Sequence, residues 1–111
     1  MESKTIILKV SEYYKIDIPE LKTKCREREF VKVRQITMYF LREFTTLSLA
    51  RIGGFYNRNH ATVLYACKQV NNLYDTDKKY RYEIDEIRKN LLSYTKNVNK
   101  LPLKYWIMQL V

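Results

Sequence analysis

The sequence contains few of the residues that interrupt helices. Glycine and proline occur only twice each among 111 residues. Tight β-hairpins need glycine or asparagine at positive φ, and disordered chains are usually enriched in glycine and proline. The scarcity of both residues argues against these classes and predicts an all-α fold of five or six helices. The length is that of one domain, with 46% apolar residues to fill its core.

Histidine and cysteine are equally scarce. His60 is the only histidine, and Cys25 and Cys67 lie far apart without a CxxC or Cys/His cluster. A zinc site, a Ser/His/Asp triad and a disulfide framework all need more of these residues. The sequence also lacks the G-x-x-x-x-G-K-[ST] motif of a phosphate-binding loop. We therefore predict no catalytic site, no metal and no cofactor, and two reduced cysteines in a cytoplasmic protein.

Long apolar runs are missing as well. No run approaches the roughly 18 to 20 residues needed to span a bilayer, and the first ten residues do not have the arrangement of a secretory signal peptide. Membrane insertion is therefore not expected.

Positive charge is what the sequence has in excess. Lysine and arginine number 21 against 12 aspartates and glutamates, which gives a formal net charge of +9. Such an excess attracts polyanions, so nucleic acid is the first candidate partner and an anionic membrane surface the second. A basic composition that only maintains solubility is the alternative. The basic stretch over residues 22–34 contains Lys22, Lys24, Arg26, Arg28, Lys32 and Arg34, interrupted by Glu27 and Glu29.

Apolar residues recur at helical spacing along most of the chain. We predict helices over residues 4–16, from residue 18 onward, and over 30–45, 49–55, 60–74 and 77–97. The spacing also predicts which residues of four helices face inward. They are Ile6, Val10 and Tyr13 in the first helix, Val33, Ile36, Thr37, Phe40 and Phe44 in the helix over 30–45, Val63, Cys67 and Val70 in the helix over 60–74, and Tyr80, Ile84, Ile87, Leu91 and Tyr94 in the last helix. Residues 1–97 are expected to form the domain, followed by an apolar tail over 98–111. Packing of this tail on the core is the first interpretation, and a homodimer or protein-partner surface is the alternative.

Residues 48–74 carry the sharpest functional signal. Ser48 can cap a short helix, Asn57 suits a left-handed turn, and Asn59 can cap the next helix. Two capped helices across a tight turn are typical of a helix-turn-helix, in which the start of the second helix meets base edges. That start contains Arg58, Asn59, His60, Ala61 and Thr62. The alternative is an ordinary helical hairpin with Asn59 only as a cap and His60 as a surface residue.

Four motifs in the same order resemble the C-terminal DNA-binding domain of the bacterial replication initiator DnaA. Val10-Ser-Glu-Tyr-Tyr-Lys-Ile16 is similar to the opening of that domain, and Arg34-Gln35-Ile36 to its Arg-Gln stretch. Leu47-Ser-Leu-Ala-Arg-Ile-Gly53 resembles its first helix-turn-helix element. Arg58-Asn-His-Ala-Thr-Val63 resembles its signature Arg-Asp-His-Thr/Ser-Thr-Val. The resemblance covers residues 6–94.

The resemblance implies a set of DNA contacts. Base contacts in the major groove fall on Asn59, His60, Ala61 and Thr62, with Arg58 beside them, and a minor-groove contact falls on Arg26. Phosphate contacts fall on Arg34, Arg42 and the helix start at Ser48 and Leu49. The basic stretch adds Arg28 and Lys32 as phosphate ligands. Tyr65 could also reach the phosphate backbone, with core or interface filling as its alternative.

The resemblance also implies a function. We expect a free-standing domain that binds double-stranded DNA with a sequence preference, in replication initiation or transcription regulation, without ATPase activity. Asn59 stands where the family has aspartate and Ala61 where it has threonine, Glu27 and Glu29 dilute the basic stretch, and the turn is one residue short. These departures favour an altered DNA site. They also leave an alternative, a protein-interaction module or regulator that kept the fold but lost tight DNA binding.

Overall fold

The computed structural model describes residues 2–22 and 27–95, with the side chain of Thr95 left out. These ranges contain only helices and their connections: α1 (Ser3–Tyr14), α2 (Ile18–Leu21), α3 (Arg28–Phe44), α4 (Leu49–Gly54), α5 (His60–Thr76) and α6 (Lys78–Thr95). The predicted all-α fold with five or six helices is confirmed. The predicted tail over 98–111 lies outside the described residues.

Helix α3 is the centre of the molecule. It packs against α1, α2, α4 and α5. The predicted inner face is buried, and so are Met38 and Leu41, two apolar residues that the prediction did not include. The buried apolar residues and threonine of α3 are Val33, Ile36, Thr37, Met38, Phe40, Leu41 and Phe44. A helix with neighbours on several sides needs a wider apolar face than one seam supplies, which explains the two additions.

Helices α1 and α6 close one side of this core. Ile6 and Val10 of α1 are fully buried, as the periodicity predicts. The predicted inner face of α6 is confirmed from Tyr80 to Leu91, but the prediction for Tyr94 is wrong, because its side chain is 53% exposed. Leu92 is buried in its place, and the Tyr94 ring instead lies 5.4 Å from the Lys9 ammonium group.

Polar side chains also join α6 to α3. Arg88 of α6 donates hydrogen bonds to the Tyr39 hydroxyl at 2.9 Å and to the Glu43 carboxylate at 3.3 Å. Burial lowers the pKa of Arg88, but Glu43 and Tyr39 raise it by more, so that the guanidinium keeps its charge in this network. The network joins the part of α3 that carries Tyr39 and Glu43 to α6.

Candidate nucleic-acid interface

Helix α4 begins at a side-chain cap. The Ser48 hydroxyl oxygen accepts a hydrogen bond from the Arg51 amide nitrogen at 3.2 Å, which confirms the predicted cap. Ser48 is exposed and Leu49 is half-buried. The phosphate contact predicted for these two residues stays a prediction.

The turn between α4 and α5 folds back onto α4. The amide nitrogens of Tyr56 and Arg58 both donate to the Gly53 carbonyl oxygen, at 3.0 and 2.9 Å. Asn57 has a φ of 55°, which confirms the left-handed conformation predicted for it. A side chain on Gly53 would overlap the Arg58 carbonyl group, so the turn can approach α4 this closely only beside a glycine. The turn therefore sets where α5 begins.

Asn59 caps α5 with its side chain. Its Oδ1 accepts from the Thr62 amide nitrogen at 2.9 Å and from the Thr62 hydroxyl at 3.1 Å. A carbonyl oxygen has two lone pairs, and both are used by these bonds. The Asn59 amide hydrogens are the part of this side chain not occupied by the cap. A bidentate contact with adenine also needs Oδ1 as an acceptor, so it would have to replace a bond to Thr62.

The first turn of α5 presents a row of exposed side chains. Asn59, His60, Ala61 and Thr62 are all exposed, and Tyr65 is 59% exposed one turn later. Arg58 is half-buried, and one of its guanidinium nitrogens donates to the Tyr56 carbonyl oxygen at 2.7 Å. The structure thus brings together the five residues that the sequence predicted for the major groove.

A groove runs beside this row, between α3 and the turn. Its volume is about 500 Å³. Residues of α3 form one wall, and the turn and α5 form the other. The lining consists of Val31, Arg34, Gln35, Met38, Asn57, Arg58, Thr62 and Tyr65. Two guanidinium groups and several hydrogen-bonding side chains therefore border the same open space, which is suited to an anionic, hydrogen-bonding ligand.

Two further cations predicted as phosphate ligands lie exposed on α3. Arg28 is at its first residue and Arg42 is in its last turn. Arg42 also lies beside Cys67 of α5. Burial raises the pKa of the Cys67 thiol, and Arg42 acts in the opposite direction through a hydrogen bond and its charge. Arg42 is therefore held next to α5 with its side chain still exposed to solvent.

Lys32 lies elsewhere. Its ammonium group is 3.0 Å from the Glu83 carboxylate of α6 and within 5.6 Å of the Tyr14 and Tyr80 ring centres. This places Lys32 between α1, α3 and α6 and not in the groove. The structure gives it a role in helix packing, which the basic sequence pattern did not reveal.

Arg34, which was predicted to contact a phosphate, is buried. It is only 6% exposed, and one of its guanidinium nitrogens donates to the Leu21 carbonyl oxygen at 3.3 Å. This bond fastens α2 to α3. Arg34 nevertheless reaches the wall of the groove, so a phosphate could approach only its edge. Arg26, predicted for the minor groove, lies outside the described residues.

Four further side chains line the groove or are exposed on α4 and α5, although the sequence did not predict them as DNA contacts. Gln35 lines the groove, Arg51 is exposed on α4, and Leu64 and Lys68 are exposed on α5. The signal for the two α5 residues was available. Val63, Cys67 and Val70 were predicted to face inward, so positions 64 and 68 had to face outward or sideways.

Metal-binding clusters and membrane-spanning helices are both absent from the described residues. Within 2–22 and 27–95, no group of three or more His, Cys, Asp or Glu side chains could hold a metal ion. In the same ranges every helix is too short or too polar to cross a bilayer. Cys67 is buried as a free thiol, and Cys25 is outside the described residues.

Comparison with known proteins connects this surface to a family. Residues 3–70 match the family described as bacterial dnaA protein helix-turn-helix, which is more than half of the chain. The matched range includes α1 to α4 and most of α5, and therefore the whole groove and the exposed row.

Individual relatives give the same result. The chain is 46% identical over 83 residues to the chromosomal replication initiator protein DnaA of Flavobacterium psychrophilum. It is 43% identical to the proteins of the same name from Wolbachia pipientis and Buchnera aphidicola, over 82 and 88 residues. These alignments cover 73 to 78% of this chain but only 17 to 18% of each relative. The chain thus spans less than a fifth of the length of these relatives.

Proposed function

This chain belongs to the family of bacterial DnaA helix-turn-helix domains, and from that membership we propose that it binds double-stranded DNA with a base preference. The start of α5 enters the major groove, in the setting of replication initiation or its regulation. The proposal does not include an ATP-driven activity, because no phosphate-binding loop occurs in this sequence.

The observation that carries the proposal is the exposed row at the start of α5. Four consecutive residues, Asn59 to Thr62, are exposed where the cap and the turn hold the helix end in place. A recognition helix needs this combination of accessible side chains and a fixed position, since base contacts tolerate little displacement. The helix N-terminus also favours the negative potential of DNA.

The row offers a mixed set of base contacts. Asn59 presents amide hydrogens that suit the N7 acceptor of a purine, and Ala61 presents a methyl group that suits the thymine methyl. His60 and Thr62 add hydrogen-bonding groups. The aspartate of the family signature would present an acceptor at position 59, so we propose a preferred site that differs from the family's at the base pair read there.

Phosphate contacts come from cations around this row. We assign them to Arg28, Arg42 and Arg58, which are exposed or border the groove, and to the exposed edge of Arg34. Ser48 and Leu49 at the start of α4 remain part of the proposal, as does a minor-groove contact by Arg26. We do not assign a phosphate contact to Lys32, because its ammonium group already forms a salt bridge with Glu83.

Selection from random duplex DNA tests the proposal. The wild-type chain should enrich a defined motif, and a His60→Ala, Thr62→Ala double variant should lose it while keeping a wild-type circular dichroism spectrum. Both residues are exposed, so their truncation should not unfold α5. Failure of the folded wild-type chain to enrich any motif would remove the proposal and favour a protein-interaction function.

A further inference from the structure

Two large apolar side chains are exposed on α5 directly after the row of predicted base contacts. Leu64 is 37% exposed and Tyr65 is 59% exposed. With Ala61 they occupy positions i, i+3 and i+4, which are neighbours on one helix surface. The residues that face the core from this helix are Val63, Ala66, Cys67 and Val70. The apolar surface of Leu64 and Tyr65 is therefore additional to the face that α5 buries.

Neither Leu64 nor Tyr65 belongs to the buried core. The partly buried apolar residues that pack against the core include Leu73 and Tyr74 of the same helix, but not Leu64 or Tyr65. Exposed apolar groups that lie side by side are typical of contact surfaces. These two adjoin Ala61 and Thr62, so a duplex that meets the start of α5 also approaches them.

We propose that Ala61, Leu64 and Tyr65 form an apolar strip that contacts thymine C5-methyl groups in the major groove. This inference rests on the proposed function and adds a specificity element to it. The thymine methyl is the apolar feature of base edges in that groove, so an apolar strip there selects thymine. The preferred site should accordingly contain thymines at the base pairs that lie next to the one read by Asn59.

The charges around the strip favour DNA as its partner. Lys68 is exposed one turn beyond Leu64, Arg58 precedes the strip, and Arg42 lies beside α5 next to Cys67. Cations on both ends of a narrow apolar strip match the phosphates that border a groove floor. The core of a protein–protein interface is usually depleted of such charges.

Replacement of thymine by deoxyuridine tests the strip, because it removes only the methyl group. In the duplex enriched by the wild-type chain, each thymine is replaced in turn and the Kd is measured by fluorescence anisotropy. At a contacted position the wild-type Kd should rise about fourfold, the equivalent of about 0.8 kcal/mol for one buried methyl group. The Leu64→Ala and Tyr65→Ala variants should show no rise at the position that each contacts.

The Tyr65→Phe variant is the matched control. It keeps the ring and removes the hydroxyl group, so it should retain the full dependence on the methyl group. Two results would overturn the strip. One is a Tyr65→Phe variant whose Kd no longer depends on the methyl group, and the other is a wild-type chain whose Kd is unchanged by deoxyuridine at every position. In both cases an enriched motif would still support DNA binding. Absence of any enriched motif overturns both the strip and the proposed function.

Discussion

The carbonyl oxygen of Arg58 lies so close to the Cα of Gly53 that a side chain at position 53 would overlap it. The same two residues are joined by a 2.9 Å hydrogen bond from the Arg58 amide nitrogen to the Gly53 carbonyl oxygen. Because Asn59 follows Arg58 and begins α5, this contact fixes the position of the predicted recognition helix relative to α4.

Gly53→Ala should therefore disturb both stability and DNA binding. Its methyl group meets backbone, which cannot rotate away, so we expect a loss of about 1–3 kcal/mol, typical of overpacking. Gly54→Ala is the control, since a methyl group there meets nothing within 4 Å. It should be neutral or stabilising by up to about 1 kcal/mol, because alanine favours helix. Equal urea unfolding midpoints for the two variants would contradict the close contact.

Much of this turn could be predicted from local sequence. Ser48, Asn57 and Asn59 adopt the cap and turn conformations expected of them, because caps and left-handed turns depend on side chains within three residues. The necessity of glycine at position 53 could not be predicted in the same way. It arises because the backbone of the turn at Arg58 packs directly against α4, and the local sequence of neither segment predicts that contact.

The roles of the cations were less accessible to sequence analysis. Arg34 and Lys32 belong to one basic stretch, yet Arg34 bonds to the Leu21 backbone and Lys32 pairs with Glu83, which is 51 residues away. A charge pattern reports how many cations a segment holds but not which of them meet a carboxylate after folding. Arg28 and Arg42 are exposed, so the phosphate contacts predicted for them from the sequence stay a prediction.

Salt dependence of binding should distinguish these two kinds of cation. Each phosphate contact contributes about 0.9 to the slope of log K against log salt. Arg42→Gln should therefore make the slope shallower by about 0.9, whereas Lys32→Gln should leave it unchanged and lower the thermal midpoint by breaking the pair with Glu83. Titrations by fluorescence anisotropy at several salt concentrations measure both slopes. A shallower slope for Lys32→Gln would return Lys32 to the DNA interface.

Tyr56 should make stability depend on alkaline pH. Its side chain is fully buried in the turn between α4 and α5. Its hydroxyl makes no hydrogen bond of standard geometry with any described residue. Burial raises the pKa of Tyr56 to about 12, although Thr37 and the charge of Arg34 lower it somewhat. The pKa of tyrosine in the unfolded chain is about 10. Above about pH 10 the unfolded chain loses this proton more readily than the folded protein does, so the free energy of unfolding is unaffected below about pH 10 and falls as the pH rises toward 12.

The ionisation of Tyr56 should lower the free energy of unfolding by up to about 2–3 kcal/mol. Each unit of difference between its folded and unfolded pKa values corresponds to about 1.4 kcal/mol. Tyr56→Phe should lose less stability over this interval than wild type, because it removes one ionising group. Near neutral pH it should match or slightly exceed wild type, since it also removes a buried hydroxyl without a good partner. Urea unfolding at several values between about pH 9 and pH 12 gives the comparison. Parallel curves over the whole interval would rule out this role for Tyr56.

The Asn59→Asp variant separates the two roles of position 59, helix cap and base reader. Aspartate caps helices about as well as asparagine, so the bond to the Thr62 amide and the stability of α5 should be retained. The side chain loses its amide hydrogens and becomes a pure acceptor, which suits the cytosine amino group. If Asn59 reads a base, the selected motif should change at one base pair. The change in preference should be several-fold to about a hundredfold, equivalent to about 1–3 kcal/mol.

The comparison uses sequencing of duplexes selected by wild type, Asn59→Asp and Asn59→Ala. The alanine variant lacks the cap and should lose about 1 kcal/mol of stability, together with the preference at that base pair. Identical motifs for wild type and Asn59→Asp would make Asn59 a cap alone, because both bonds of Oδ1 to Thr62 would then stay intact in the complex. A motif that changes only at one base pair requires the Asn59 side chain to reach a base while the rest of the row, His60 to Thr62, keeps its place.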